Sequence, residues 1–138
     1  MSQLTVSPLL RLAIGLDGCV SALAGLASLI GLGSLAAGLG APLAATLGVG
    51  LFMLLYGLGL TMISRAATVP STLVWTLVLG NLGWVAASVA LALSSWIQPQ
   101  PWALALLLGQ AGGVAVFSLL QYLGLRQAQA GPTQVALA

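Results

Sequence analysis

Few residues in this chain have side chains able to do chemistry. Asp17 is the only acid, and Arg11, Arg65 and Arg126 are the only bases. His, Lys and Glu do not occur. A Ser–His–Asp arrangement, a carboxylate pair and a His-based metal or haem site therefore cannot be assembled. The single cysteine, Cys19, excludes an intramolecular disulfide and a structural zinc site. The expectation is a protein that is not an enzyme, with no catalytic residues, no metal and no cofactor. Three scattered arginines also fall short of the dense basic patch that a nucleic acid needs.

Asp17 is the sharpest feature. It follows Arg11 by six residues, which on a helix is about 9 Å deeper and on a different face. An unpaired aspartate within a bilayer costs about 2.5–3.5 kcal/mol. Asp17 is therefore expected to face other helices, satisfied by Asn81, Gln121, Tyr56 or Arg65. Two readings stand beside each other. One is a proton or cation site. The other is a structural polar contact near the cytoplasmic edge, favoured because no second acid exists to relay a proton.

Helical spacing gives Asp17 company. Ser21, Ala24 and Ser28 follow it on one face. Asn81, Trp84, Ser88 and Ser95 share a face further on. So do Gln110, Gly113, Phe117, Gln121 and Gly124. These stripes are expected to converge on an intramembrane polar cluster of Asp17, Ser21, Tyr56, Asn81, Gln110 and Gln121. They either line a narrow cavity or glue helices together. Trp84 reads as packing and Cys19 as a small apolar filler.

The elements that must position these residues are apolar. Of 138 residues 60% are hydrophobic and 3% are charged, against about 25% charged in soluble domains. Lipid must then be the solvent for most of the surface. Four long apolar segments cover about residues 9–35, 43–64, 71–96 and 102–125. Each exceeds the roughly 20 residues needed to span a bilayer. Stretches such as Val114–Leu120 lack the alternation of barrel strands, so the spans are predicted to be helices. The fold class expected is all-α, a polytopic four-helix membrane bundle. The first segment is too long for a cleaved signal. Residues 127–138, small, polar and broken by Gly and Pro, are expected to form a mobile tail.

Orientation follows from the arginines. Arg11 precedes the first span, Arg65 lies in the second connection and Arg126 ends the fourth. With four spans these places share one side, and the other connections carry no charge. The positive-inside rule then puts both termini in the cytoplasm. Trp96 and Trp102 fit an aromatic belt at the opposite interface, and Trp75 fits one at the inner face.

Glycine occurs 18 times. Gly109-x-x-x-Gly113, Gly83-x-x-x-Ala87, Ser21-x-x-x-Gly25 and Gly18-x-x-x-Ala22 are small-residue pairs suited to close helix contact, within the bundle or between protomers. Leu54-Leu55-Tyr56-Gly57-Leu58-Gly59-Leu60 and Leu119-Leu120-Gln121-Tyr122-Leu123-Gly124-Leu125 look alike, and Asp17 and Asn81 sit at similar depths. This pattern is either a parallel repeat of two hairpins or a chance match within low-complexity sequence. Gly31-Leu32-Gly33-Ser34-Leu35-Ala36 mimics a dinucleotide fingerprint but lacks the preceding strand and the later acid, and is rejected.

The strings Leu10-Arg11-Leu12-Ala13-Ile14-Gly15-Leu16-Asp17 and Gly80-Asn81-Leu82-Gly83-Trp84-Val85-Ala86-Ala87-Ser88, with Gln110…Phe117…Gln121-Tyr122-Leu123-Gly124-Leu125-Arg126, resemble an uncharacterised family of small bacterial integral membrane proteins with four transmembrane helices. The resemblance covers nearly the whole chain to Arg126. It implies a four-helix fold and a place in the bacterial inner membrane, highlights Asp17, Asn81, Trp84 and Gln121, and implies no activity. Two functions are then weighed. The first is an accessory or assembly subunit, or a self-associating bundle, whose partners beyond the lipid bilayer are its own copies or a larger membrane complex. The second is a small transporter or pore with its site at Asp17.

Overall fold

The computed structural model describes residues 3–130. In chain order it has β1 (Gln3–Thr5), α1 (Pro8–Ile30), α2 (Leu32–Leu39), α3 (Leu43–Ile63), β2 (Thr68–Pro70), α4 (Ser71–Leu93) and α5 (Pro101–Ala130). The fold is all-α apart from the two short strands. The four helices α1, α3, α4 and α5 are each long and apolar enough to cross a membrane. Leu23, Ile30, Leu55, Met62 and Leu93 are among the large side chains left exposed on the outside. Such a surface suits hydrocarbon rather than water.

Local chemistry sets the helix boundaries. Ser7 starts α1 by accepting the Leu10 N–H at 3.2 Å, and Pro8 takes the first-turn place where a missing N–H costs nothing. The first apolar segment was expected to form one helix to about residue 35. It instead breaks at Gly31, whose φ of −93° and ψ of 23° lie outside the helical well. A short α2 follows and packs against α3 and α5. Gly40 closes α2 at φ 64°, a left-handed conformation that costs glycine least. The Ala41 N–H reaches back to the Ala36 carbonyl at 3.0 Å. The third span stops at Leu93 rather than near residue 96, where Ser94 turns extended and its hydroxyl donates to the Leu91 carbonyl. α5 runs on to Ala130, so Gln127–Ala130 belong to a helix and not to the expected tail. The remainder of that expected tail lies outside the described residues.

All three arginines fall at one end. Here β1 and β2 pair antiparallel, Leu4 opposite Val69, and tie the start of α1 to the start of α4. The Arg11 guanidinium donates to the Ser64 carbonyl at 2.7 Å and the Ala66 carbonyl at 3.0 Å. It thereby satisfies carbonyls at the C-terminus of α3, where a cation also favours the helix dipole. The Ser7 hydroxyl donates to the Gly124 carbonyl at 3.0 Å, fastening α5. Val6, Leu10, Ile14, Leu60, Val69, Val74, Leu77 and Leu125 pack beneath these contacts as a closed apolar core. Sequence reasoning did not anticipate the strand pair, because three residues carry too little pattern to register.

The opposite end is joined by backbone. The Gln100 N–H donates to the Gly38 carbonyl at 2.7 Å, and the Trp102 ring lies where a Cβ on Gly38 would have to be. The α2 turn and the α4–α5 connection therefore form one lid.

Between the ends, α1 contacts α3 and α5, and α4 contacts α5. The α1–α3 contact is the tightest. A Cβ on Gly57 would collide with the backbone at Gly18 and Ala22, and one on Gly25 with that at Gly50 and Leu54. Gly124 sits against the Leu10 backbone in the same way. α3 and α4 instead meet through aromatic rings. Phe52 stacks on Trp84 with centroids 5.9 Å apart, and Tyr56 stacks on Phe52 at 5.6 Å. The hairpins α1–α3 and α4–α5 start at the same end, as a parallel repeat requires. Their mutual contacts are unequal, however: α1 and α5 approach by backbone, α3 and α4 by side chains.

Candidate functional site

Asp17 lies about 14 Å along α1 from Pro8, at 1.5 Å per residue. It is fully buried, with 0% of its surface exposed. Oδ2 accepts two short hydrogen bonds, from Asn81 Nδ2 of α4 at 2.8 Å and from Gln121 Nε2 of α5 at 2.8 Å. Oδ1 accepts the hydroxyl of Ser21, one turn along α1, at 3.2 Å.

The amides also hold each other. Asn81 Nδ2 approaches Gln121 Oε1 at 3.3 Å, closing a ring of three side chains from three helices. The remaining acceptor of Asn81, Oδ1, takes the Tyr56 hydroxyl of α3 at 3.2 Å. All four spans thus contribute to one polar knot. Sequence reasoning named five of its members: Asp17, Ser21, Tyr56, Asn81 and Gln121.

Every partner of this carboxylate is a neutral donor. Arg11 is committed to the Ser64 and Ala66 carbonyls just past α3, and Arg65, once a candidate partner, is not among the groups that bond Asp17. The cost of burying this carboxyl group is offset here by the N–H and O–H groups that converge on it. Among the described residues no buried side-chain N or O lacks a partner. The knot is a hydrogen-bond lock, every buried polar atom in it partnered, that ties four helices together.

Gln110 does not belong to it. It shares a face with Gln121 but lies eleven residues earlier, about 16 Å along α5. It builds a second, smaller network: Trp84 Nε1 donates to its Oε1 at 2.9 Å, and its Nε2 donates to the Ser88 hydroxyl at 3.0 Å. Trp84, read as packing, both stacks and donates. Ser28 spends its hydroxyl on the Ala24 carbonyl of its own helix, and Ser95 is exposed.

The glycine expectations divide. Gly25 lies in the α1–α3 contact, as does Gly18. Gly83, Gly109 and Gly113 face outward, and a Cβ on any of them would meet nothing within 4 Å. They are not packing positions within this bundle. Gly50, Gly57 and Gly124 are. The two similar strings that end the second and fourth spans did not mark them: Gly124 matches Gly59, beside which a Cβ would meet nothing within 4 Å, and Gly57 matches Tyr122.

Compared with protein-family models, with characterised proteins and with solved structures, the chain matches none.

Proposed function

We propose that this chain is a non-enzymatic integral membrane protein, an accessory or assembly subunit or a self-associating bundle. It would belong to the small bacterial four-helix family that its sequence resembles. It would sit in the bacterial cytoplasmic membrane with the arginine-bearing end, and so both termini, in the cytoplasm. The observation that carries this reading is that both oxygens of Asp17 are engaged by other side chains of the bundle. Its carboxylate is occupied by Ser21, Asn81 and Gln121, and Asn81 is tied in turn to Tyr56. The only acid in the chain serves the helix arrangement and is not presented to a substrate. Short connections place contacts with a partner mainly within the lipid. There the outward small residues Gly83, Gly109 and Gly113 permit close approach of another helix, from a second copy or a larger complex.

Affinity capture from native membranes in mild detergent tests this. The expected result is a stoichiometric membrane partner or a defined homo-oligomer. A solitary protein whose proteoliposomes carry a proton flux that Asp17→Asn abolishes would replace this reading by a transporter.

A further inference from the structure

The half of the bundle away from the arginines is not filled. It carries a half-open cavity of about 390 Å³ between α1, α2, α3 and α5, with Trp84 of α4 on its wall. Along α5 the lining runs from Trp102 to Gln110, about 12 Å of helix. Val49, Trp102 and Leu106 on its walls stay partly exposed, so the space is open to a molecule entering from the surrounding bilayer. Wholly apolar cavities of about 150 Å³ take up benzene, and ligand pockets begin at about 300 Å³.

The lining states what kind of occupant fits. Its walls are aliphatic, with Leu35, Leu39, Val49, Met53 and Leu106 among them, and no charged side chain borders it. A charged group buried there would find no counter-ion. The deep end is polar and neutral. Gln110 accepts from Trp84 and donates to Ser88, which leaves one amide N–H and one carbonyl lone pair unspent. The outer end is bordered by Trp102 and the exposed Ser34.

We propose that this cavity binds an uncharged amphiphile, its hydrocarbon chain against the aliphatic walls and a carbonyl or hydroxyl group against the Gln110 amide. The same chemistry is offered by the acyl ester of a membrane lipid and by a neutral isoprenoid carrying a carbonyl head. The site is separate from the Asp17 lock and does not depend on its role.

Two lining tryptophans, Trp84 and Trp102, make the test optical. Full-length protein in mild detergent, with Trp75→Phe and Trp96→Phe to silence the other two, is titrated with methyl 9,10-dibromostearate and, separately, with ionised 9,10-dibromostearic acid. The expected result is saturable quenching by the neutral ester and only non-saturating quenching by the acid. Ala27→Phe and Ser34→Phe, at exposed lining positions, should each remove the saturable component while leaving the helical circular dichroism unchanged. Gln110→Leu should weaken ester binding more than binding of the bromoalkane 1-bromohexadecane. Mass spectrometry of organic extracts from the purified protein separates the two sources, a co-purified acyl lipid or an isoprenoid. Non-saturating quenching by the ester, or saturable quenching that persists in both filled variants, would overturn the proposal.

Discussion

The Asp17 carboxylate and the Gln121 amide, 104 residues apart in sequence, meet at 2.8 Å in the interior of the bundle. This contact joins the first span to the last. Because Asn81 donates to the same oxygen at 2.8 Å, the third span is held by the same atom. The consequences of changing Asp17 therefore depend on whether a replacement still offers an acceptor at Oδ2.

Asp17→Leu offers none. It strands the amides of Asn81 and Gln121 and the hydroxyl of Ser21 in a buried place. Interhelical hydrogen bonds in membranes average about 0.6 kcal/mol and reach about 1.7. Two of these, from Asn81 and Gln121, together with the bond from Ser21 within α1, leave their donors unpaired and predict a loss of about 2–4 kcal/mol. Asp17→Asn differs in kind. Its amide oxygen takes the place of Oδ2, and its amide nitrogen faces Ser21 Oγ, which is able to accept. A loss below about 1 kcal/mol is expected. Reversible unfolding in mixed micelles reads both, and equal stability of the two variants would remove the lock from the account.

The glycines give an internal contrast. Gly57→Ala places a methyl group against the backbone of Ala22 and Gly18, which neither helix can yield without separating. Overpacking of this kind costs about 1–3 kcal/mol. Gly113→Ala meets nothing within 4 Å and gains helix propensity of roughly 0.5–1 kcal/mol. The two substitutions should move the unfolding midpoint in opposite directions. A loss at Gly113 without a loss at Gly57 would mean that the outward glycine face, not the α1–α3 contact, holds the molecule together.

Much of the site was legible because angle around a helix is written in sequence. The step of four from Asp17 to Ser21 puts both on one face, and a lone acid in an apolar chain must turn inward. Depth is less legible. Gln110 and Gln121 share a face, yet only Gln121 reaches Asp17, because eleven residues of rise separate them. The break at Gly31 was hidden by uniform hydrophobicity on both sides of it. The glycine faces stayed open between packing within the bundle and packing between protomers for a related reason. A small-x-x-x-small spacing marks a smooth helix surface but does not say which neighbour lies on it. Gly18 found Gly57, whereas Gly109 and Gly113 found none within the bundle.

Trp102 and Gly38 offer a check on the end opposite the arginines. The ring occupies the space of a Cβ, and the Gln100 N–H bonds the Gly38 carbonyl at 2.7 Å. Gly38→Val should expel the ring into the interface and shift Trp102 emission in a variant lacking the other tryptophans. Unchanged emission would show that the ring is not held by this contact.

Topology is tested by the arginine end itself. Arg11, Arg65 and Arg126 gather with the β1–β2 pair, while Gln98 and Gln100 lie with α2 at the far end. In a Cys19→Ala background, Gln98→Cys is expected to react with a membrane-impermeant maleimide added to intact spheroplasts. Ala67→Cys, exposed beside Arg65, is expected to react only after permeabilisation. The reason is energetic: moving the three guanidinium groups across the bilayer during insertion costs more than moving the uncharged connections. Both sites report the same quantity from opposite faces, so reversed labelling at both would invert the orientation while leaving the four-span bundle intact. Labelling of both from outside would contradict a membrane-spanning α4, whose two ends they flank.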